Sequence, residues 1–215
     1  GDTGGLNYVT YIYRNEEGTG NFSDIGASIS SAGPPPFLAK EAAWCDFDGD
    51  NDPDLLISGT STDIYINDNG SFSPIGAGLT QEPGSVDCGD YDGDGDLDIA
   101  HASEGMFTSS FHIYRNNNGA FVESGINIPA VSNNPLVRWG DYDNDGNLDF
   151  FLRGVPEGEI TTEGRIYLGD GTGQFSLFST SAGGYNGWLD IDGDGDLDFY
   201  GDQMMHLHVD ESDDL

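Results

Sequence analysis

Four stretches of this chain have nearly the same nine residues, and this repetition constrains the fold more than any other feature. They read DFDGDNDPD (46–54), DYDGDGDLD (90–98), DYDNDGNLD (141–149) and DIDGDGDLD (190–198). Each has aspartate at positions one, three, five and nine, and together they contain about half of the chain's 39 acidic residues. Carboxylates this close repel one another strongly unless a cation lies among them.

The spacing within each stretch predicts a calcium loop. Ca²⁺ takes six to eight oxygen ligands in flexible geometry, and alternate carboxylates on a tightly curled loop supply them. Positions four and six are glycine or asparagine, the residue types that tolerate the positive φ that such a loop needs. We therefore expect about four Ca²⁺ ions, with the backbone carbonyl coordinating at position seven and the side chain there left free.

The predicted metal residues are those at positions one, three, five, seven and nine of the four loops. They are Asp46, Asp48, Asp50, Asp52, Asp54, Asp90, Asp92, Asp94, Asp96, Asp98, Asp141, Asp143, Asp145, Asn147, Asp149, Asp190, Asp192, Asp194, Asp196 and Asp198. Position eight is apolar in every loop, and we expect it to lie beneath the loop.

Two other calcium folds do not fit these loops. An EF-hand needs a glutamate at position twelve and a helix on each side, but position twelve is Ile57, His101, Leu152 or Gly201 and the flanks resemble strands. The nonapeptide repeats of a parallel β-helix recur every nine residues. These loops recur roughly every 50 residues, a period typical of propeller blades.

A second motif recurs in step with the loops and predicts β-hairpins. It reads YIYRNEEGTGNF (11–22), IYINDNGSF (64–72), IYRNNNGAF (113–121) and IYLGDGTGQF (166–175). Asn69-Gly70 and Asn118-Gly119 favour tight primed turns. One repeat is therefore predicted to run strand A, calcium loop, strand B, connection, strand C, hairpin turn, strand D. Two places before each loop stands a large strand A residue, Trp44, Trp139 or Trp188, or Cys88 in the second repeat, and we expect these residues to pack between blades.

Together, the loops and hairpins resemble the FG-GAP/VCBS repeat family, the blades of integrin-α-type β-propellers. The resemblance implies an all-β fold, a β-propeller of four-stranded antiparallel blades, here three full blades plus split or partial terminal blades. It also implies that each calcium loop joins the two innermost strands of its blade, which places the four loops on one face of a disc. We expect residues 1–215 to form a single propeller domain or propeller segment.

The number of blades leaves three arrangements open. The chain opens with only a C–D hairpin (about 8–25) and ends with strands A and B and a short C-like run (204–209). The hairpin could complete the last blade and close a small ring, the chain could be a segment of a larger propeller, or its sheet edges could pair with another copy. Unpaired edges invite association.

Net charge and cysteine content limit the partners and the compartment. The formal net charge is −33 and the chain shows no basic patch, so we expect neither nucleic acid nor an anionic membrane as a partner. Weak calcium sites are typical of extracellular modules, which predicts a secreted or cell-surface protein. Cys45 and Cys88 could form a disulfide between blades or remain free buried thiols, and free thiols are the preferred interpretation.

The sequence offers little for catalysis. It has no nucleophile motif and no phosphate-binding loop, and the spacing explains the paired carboxylates as ligands, so we expect no enzyme. His206 and His208 share a strand face, but ordinary strand polarity is the simpler interpretation. The predicted function is a calcium-binding extracellular module that binds a protein or glycan in adhesion, the ligand being unknown.

Two other functions stay open. The chain could be a structural subunit that self-assembles into a fibre or surface layer through its incomplete terminal blades. It could also be a non-catalytic domain of a larger secreted polysaccharide-degrading enzyme. Irregular connections predicted at 101–110, 154–164 and 30–41 could contact a partner, through Met106, Phe107 and Arg153 among others.

Overall fold

The computed structural model describes residues 9–16, 19–30, 40–59, 62–105, 108–182, 185–201 and 205–206, and their only regular structure is β-strand. The strands are β1 (Val9–Asn15), β2 (Phe22–Ser30), β3 (Glu41–Cys45), β4 (Asp54–Ser58), β5 (Asp63–Asp68), β6 (Ser71–Pro74), β7 (Gly84–Gly89), β8 (Asp98–Glu104), β9 (Ser109–Asn117), β10 (Ala120–Glu123), β11 (Val131–Gly140), β12 (Asp149–Pro156), β13 (Glu163–Gly169), β14 (Phe175–Ala182), β15 (Tyr185–Leu189), β16 (Asp198–Gly201) and β17 (Met205–His206). In this part of the chain no helix is long and apolar enough to cross a membrane.

The chain forms two compact units, residues 1–83 and residues 84–215. The first unit contains the β1–β2 hairpin and the four-stranded antiparallel sheet β3–β4–β5–β6. Ile12 and Ile29 of the hairpin and Leu55 and Ile57 of β4 are buried in one apolar cluster. Burial of these aliphatic side chains joins the hairpin to the sheet, because apolar surface removed from water is the main stabilising contribution in such a unit.

The second unit contains two four-stranded antiparallel sheets, β7–β8–β9–β10 and β11–β12–β13–β14, and the three-stranded sheet β15–β16–β17. One apolar cluster of this unit contains Trp139, Phe150 and Leu152, with Ile113 of β9 and Tyr167 of β13 among the other buried members. A second cluster surrounds Phe151 and Trp188. The strands β4, β8 and β12 are buried along most of their length, which shows that both of their faces are covered.

The predicted order of the repeat is confirmed in all three four-stranded sheets. In each, the acidic loop joins the first two strands, and the fourth strand forms a hairpin with the third. Sheets of this kind are consistent with propeller blades, with partial sheets at both ends of the chain. The single-domain assignment for 1–215 and the closure of a ring stay predictions.

The hairpin turns confirm the prediction from Asn-Gly. Asn69 and Gly70 have φ of 53° and 91°, and Asn118 and Gly119 have φ of 54° and 87°. Positive φ at both central residues defines a type I′ turn, whose twist matches that of the two strands it joins.

Two of the three tryptophans pack between sheets as expected. Trp139 stacks on Tyr91 of the preceding loop with an interplanar angle of 3°, and Trp188 stacks on Tyr142 at 16°. Trp44 differs, because it is 54% exposed and its ring contact is edge-on with Phe72 of its own sheet. The second unit contains a loop tyrosine in front of each tryptophan, whereas Trp44 borders a pocket beside the β1–β2 hairpin.

The connections differ from the prediction, and the cysteines follow the alternative that was not preferred. β8 extends to Glu104 and β12 to Pro156, so the irregular connections are shorter than expected and Arg153 lies in a strand, paired with Gly164 and Leu136. Met106, Phe107, residues 31–39, Met204 and residues 207–209 lie outside the described residues.

Neither cysteine is free: Cys45 and Cys88, the two cysteines of the chain, are disulfide-bonded.

Candidate metal centres

The aspartate at position one curls each acidic loop around its own carboxylate. Asp46 accepts hydrogen bonds from the backbone N–H groups of Gly49, Asp50 and Asn51 at 2.9–3.1 Å. Asp90, Asp141 and Asp190 accept equivalent bonds from positions further along their loops. The loop amides therefore turn inward toward one acidic group.

Glycine and asparagine at positions four and six make this curl possible. All eight of these residues have positive φ, between 56° and 101°. The sequence-based prediction of their backbone conformation is confirmed. A β-branched or bulky residue at any of them would be strained, because its Cβ would clash with the backbone.

Three carboxylates come together in every loop. In each group, one oxygen from each aspartate lies within 4.8 Å of the others. The groups are Asp46, Asp48 and Asp50; Asp90, Asp92 and Asp94; Asp141, Asp143 and Asp149; and Asp190, Asp192 and Asp194. Oxygens that share a calcium ion at 2.3–2.6 Å lie within about 5 Å of each other, so this spacing fits one ion per loop.

The aspartate at position nine has a structural role that the sequence did not reveal. Asp54, the first residue of β4, is fully buried, and its carboxylate accepts bonds from Phe47 N at 2.8 Å and Asn67 N at 2.8 Å. Asp98 and Asp149 accept the same pair of bonds, from position two of the loop and from the third strand of the sheet. The position-nine carboxylate therefore links the loop to its sheet through hydrogen bonds. Among the position-nine aspartates of the four loops, Asp149 is the one that also belongs to a three-carboxylate group.

Burial of the position-nine aspartate raises the pKa of its carboxyl group in the first three loops. Burial raises the pKa of Asp98 to about 7, against the opposing effect of its two backbone hydrogen bonds. Burial also raises the pKa of Asp54 and Asp149. A bound cation would favour the ionised form of these carboxylates, because ligand groups must be deprotonated to coordinate a metal.

The side chain at position seven is not free, contrary to the prediction. Asp96 accepts a hydrogen bond from Asn118 N at 2.8 Å, and Asp52 accepts one from Asn69 N at 3.2 Å. Both donors lie in the type I′ turn of the same sheet. The position-seven carboxylate therefore links the acidic loop to the neighbouring hairpin turn, and coordination by its backbone carbonyl stays a prediction.

The apolar position eight lies beneath the loop in only part of the chain. Leu148 and Leu197 pack on the two apolar clusters of the second unit. Pro53 is exposed instead and borders the pocket beside Trp44.

Position two has a packing role that was not predicted. Tyr91 and Tyr142 occupy this position in the second and third loops, and each stacks on a tryptophan. Position two is aromatic in three of the four loops, and this pattern in the sequence could have indicated the packing role.

The donor set fits a hard divalent cation. All the grouped side-chain atoms are carboxylate oxygens, the ligands that Ca²⁺ prefers over the nitrogen and sulfur donors of transition metals. In the second loop, the Oδ1 atom of Asp92 is buried and has no hydrogen-bond partner within the part of the chain that the structure describes. A buried carboxylate oxygen without a partner is costly, and a cation at the centre of the loop would satisfy it.

The histidines do not form a second centre among the described residues. His101 is fully buried in β8, and His112 makes a 2.8 Å contact from Nδ1 to Glu123 Oε1. His206 lies in β17, and His208 is outside the described residues.

Comparison with known protein families identifies the repeat. The model of the FG-GAP-like repeat matches residues 46–101 and 104–152, which include three of the four acidic loops. The chain carries FG-GAP-like repeats. The first match runs from the first acidic loop through the second loop into β8, and the second match runs from the end of β8 through the third loop into β12, so each match spans parts of two neighbouring sheets. A comparison with curated proteins found no match.

Proposed function

We propose that this chain is a calcium-binding, extracellular FG-GAP-like β-propeller module that binds a protein or a glycan. The observation that carries the calcium part is the convergence of three carboxylates within 4.8 Å in each of four loops. The residues that hold the ion are the aspartates at positions one, three and five, with position nine and the backbone of position seven completing the shell. Calcium supplies the positive charge that allows these carboxylates to stay close together in their ionised form.

The extracellular assignment is supported by the disulfide. Cys45 and Cys88 are bonded, and disulfides form and persist in oxidising environments such as the cell exterior, whereas cytosolic thiols are kept reduced. Calcium concentrations outside cells suit modules with weak sites. A secreted or cell-surface location therefore suits both the disulfide and the calcium sites.

The calcium assignment is tested by titrating protein stripped of metal. Calorimetry should show about four Ca²⁺ per chain, and Ca²⁺ at 100 times its dissociation constant should stabilise the fold by about 2.7 kcal/mol per site. Mg²⁺ should bind more weakly, since it demands regular octahedral geometry. Absence of binding heat, together with a melting temperature that Ca²⁺ does not change, would refute structural calcium.

A pocket in the first unit is the proposed contact surface for the ligand. It has a volume of about 490 Å³ and lies between the β1–β2 hairpin and the β3–β6 sheet. Its lining includes Trp44 and Tyr13, 54% and 58% exposed, together with Arg14 and the amide side chain of Asn69. Exposed aromatic faces beside polar groups suit a sugar ring or an aromatic side chain of a protein, because one end of the site is apolar and the other can hydrogen-bond.

This surface is tested by probing arrays of glycans and extracellular proteins with the calcium-loaded chain. Trp44→Ala should abolish any binding that is found. Phe178→Ala is the matched control, because Phe178 is an aromatic residue exposed to a similar extent, 58%, on β14 of the other unit. Equal loss in both variants, or retention in Trp44→Ala, would place the ligand elsewhere.

Self-assembly is a second candidate, favoured by the incomplete terminal sheets. Within the described residues, β1 and β2 pair only with each other, and β15–β17 forms a sheet of three short strands. Incomplete sheets leave strand edges that another chain can extend. Light scattering of the calcium-loaded chain separates the candidates: a monomer supports a binding module, and concentration-dependent growth supports a structural subunit.

A further inference from the structure

An arginine lies against the second acidic loop. Arg115, in β9, contacts Asp92 Oδ2 through Nε at 2.8 Å and Asp94 Oδ2 through Nη2 at 2.9 Å. The side chains of Asp92 and Asp94 are only 11% and 29% exposed, so both are partly shielded from water. One guanidinium therefore bridges two of the three carboxylates that are grouped in this loop.

The same position in the other complete sheets carries no charge. Tyr65, Tyr114 and Tyr167 occupy equivalent places, because each pairs with the second residue of the strand that follows the loop. The residues after these tyrosines are Ile66, Arg115 and Leu168. The first and third loops are thus natural controls for the second, with the same backbone and an aliphatic side chain in place of the arginine.

The guanidinium uses oxygens that a calcium ion would need. Asp94 Oδ2 accepts from Arg115 while Asp94 Oδ1 accepts from the backbone of Asp96 at 3.0 Å. Asp92 Oδ1 is buried and has no hydrogen-bond partner among the residues that the structure describes. The hydrogen bond from Arg115 holds the pKa of Asp94 below its ordinary value, which reflects the same attraction. Calcium at the centre of this loop must share these carboxylates with Arg115 or displace it.

We propose that Arg115 is an internal counter-ion that competes with Ca²⁺ for the second loop. It neutralises part of the carboxylate repulsion when no metal is bound, so this loop stays ordered without calcium. The competition also makes the second loop the weaker calcium site when compared with the first and third loops. This inference rests on the proposed calcium binding and adds that the sites fill in sequence.

The test is hydrogen exchange of each loop, measured by mass spectrometry across a calcium titration of the full chain. In the wild-type chain without calcium, the 90–98 peptide should be better protected than the 46–54 and 141–149 peptides. On titration, the midpoint of its further protection should come at higher calcium. Arg115→Met keeps much of the side-chain volume and removes the charge, so it should lower that midpoint by about two- to fivefold, within the range expected for exposed ion pairs.

A second variant, which adds a guanidinium instead of removing one, tests the proposal even if Arg115→Met fails to fold. Leu168→Arg places a guanidinium at the same register in the third sheet, and it should raise the calcium midpoint of the 141–149 peptide while that of 46–54 stays constant. If the loops gain protection with calcium but neither variant moves its own loop in the stated direction, the competition is refuted and calcium binding stands. If no loop responds to calcium, both proposals fail.

Discussion

At the scale of single residues, the aspartates of one loop have different functions although they look alike in the sequence. Position one organises the loop amides, position three belongs to the three-carboxylate group of every loop and position five to that of three loops, and position nine is buried. Loop 46–54 shows this division most simply, because Ile66 is the aliphatic residue at the register where the second sheet has Arg115.

The first prediction compares a buried with an exposed aspartate in that loop. Asp54→Ala leaves the N–H groups of Phe47 and Asn67 without their acceptor, so without calcium it should lower the free energy of unfolding by roughly 2 to 4 kcal/mol. Asp50→Ala is the control: its side chain is exposed, water can replace it, and the loss should stay under about 1 kcal/mol. Urea unfolding in chelator measures both, and equal losses would contradict the structural role of position nine.

The second prediction concerns pH in the absence of metal. Burial raises the pKa of Asp98 to about 7, so the folded state holds this proton more tightly than the unfolded chain, whose aspartates titrate near pH 4. The stabilising contribution of the protonated group is fully present below about pH 4 and is lost as the pH rises through about 7. The free energy of unfolding of the metal-free protein should therefore fall between pH 5 and pH 7.5.

Calcium should reverse this trend, because its ligands must be ionised and its affinity rises over the same range. Denaturant unfolding at several pH values, with stripped protein and with saturating calcium, gives the two slopes. A metal-free stability that increases from pH 5 to pH 7.5 would show that burial of these carboxylates is not the dominant influence.

At the scale of elements, the acidic loop and the type I′ turn act together. The position-seven carboxylate reaches from the loop to the turn that joins the third and fourth strands, as Asp52 does to Asn69. The loop therefore influences a hairpin with which it is not contiguous in the chain.

The third prediction separates this link from metal coordination. Asp52→Ala should speed hydrogen exchange at the Asn69 amide while the calcium affinity of loop 46–54 falls only slightly. Asp50→Ala should do the opposite, with a large loss of affinity and an unchanged turn. Amide exchange by NMR and calcium titration are the two measurements. Similar losses of affinity in the two variants would mean that the ligand positions are displaced from those proposed.

Local features of these elements could be predicted from the sequence, and contacts between elements could not. Positive φ at Gly49 or Asn118 follows from residue type and spacing within a few residues. The exposure of Trp44 depends on which side chains lie against its sheet, and Arg115 reaches Asp92 only because of the register between two strands. The same pattern that buries Trp139 and Trp188 therefore gave a wrong expectation for Trp44.

At the scale of the whole molecule, the disulfide is the covalent constraint that the sequence left undecided. Two cysteines in neighbouring repeats fit both a bond and two buried thiols. The choice depends on the distance between two strands from different repeats, which a period of about 50 residues does not specify.

The fourth prediction tests that bond. Alkylation of the denatured chain without reductant should add no alkyl group to the intact mass, and alkylation after reduction should add two. Reduction should lower the free energy of unfolding by roughly 3 to 4 kcal/mol in the chain-entropy description of a loop of this length. The Cys45→Ser/Cys88→Ser double variant should be insensitive to reductant. Two alkyl groups added without reductant would exclude the disulfide.

The unequal surroundings of the three tryptophans give the molecule two intrinsic fluorescence reporters. Trp139 and Trp188 are 9% and 8% exposed and stacked on tyrosines, whereas Trp44 is 54% exposed. A soluble quencher should therefore suppress mainly the red-shifted emission of Trp44, and a ligand seated in the pocket should shield it. Loosening of the stacked pairs would instead shift the blue emission. Ligand binding at Trp44 and loss of calcium near the stacked tryptophans could thus be followed separately in the unlabelled chain, because the two kinds of tryptophan emit at different wavelengths.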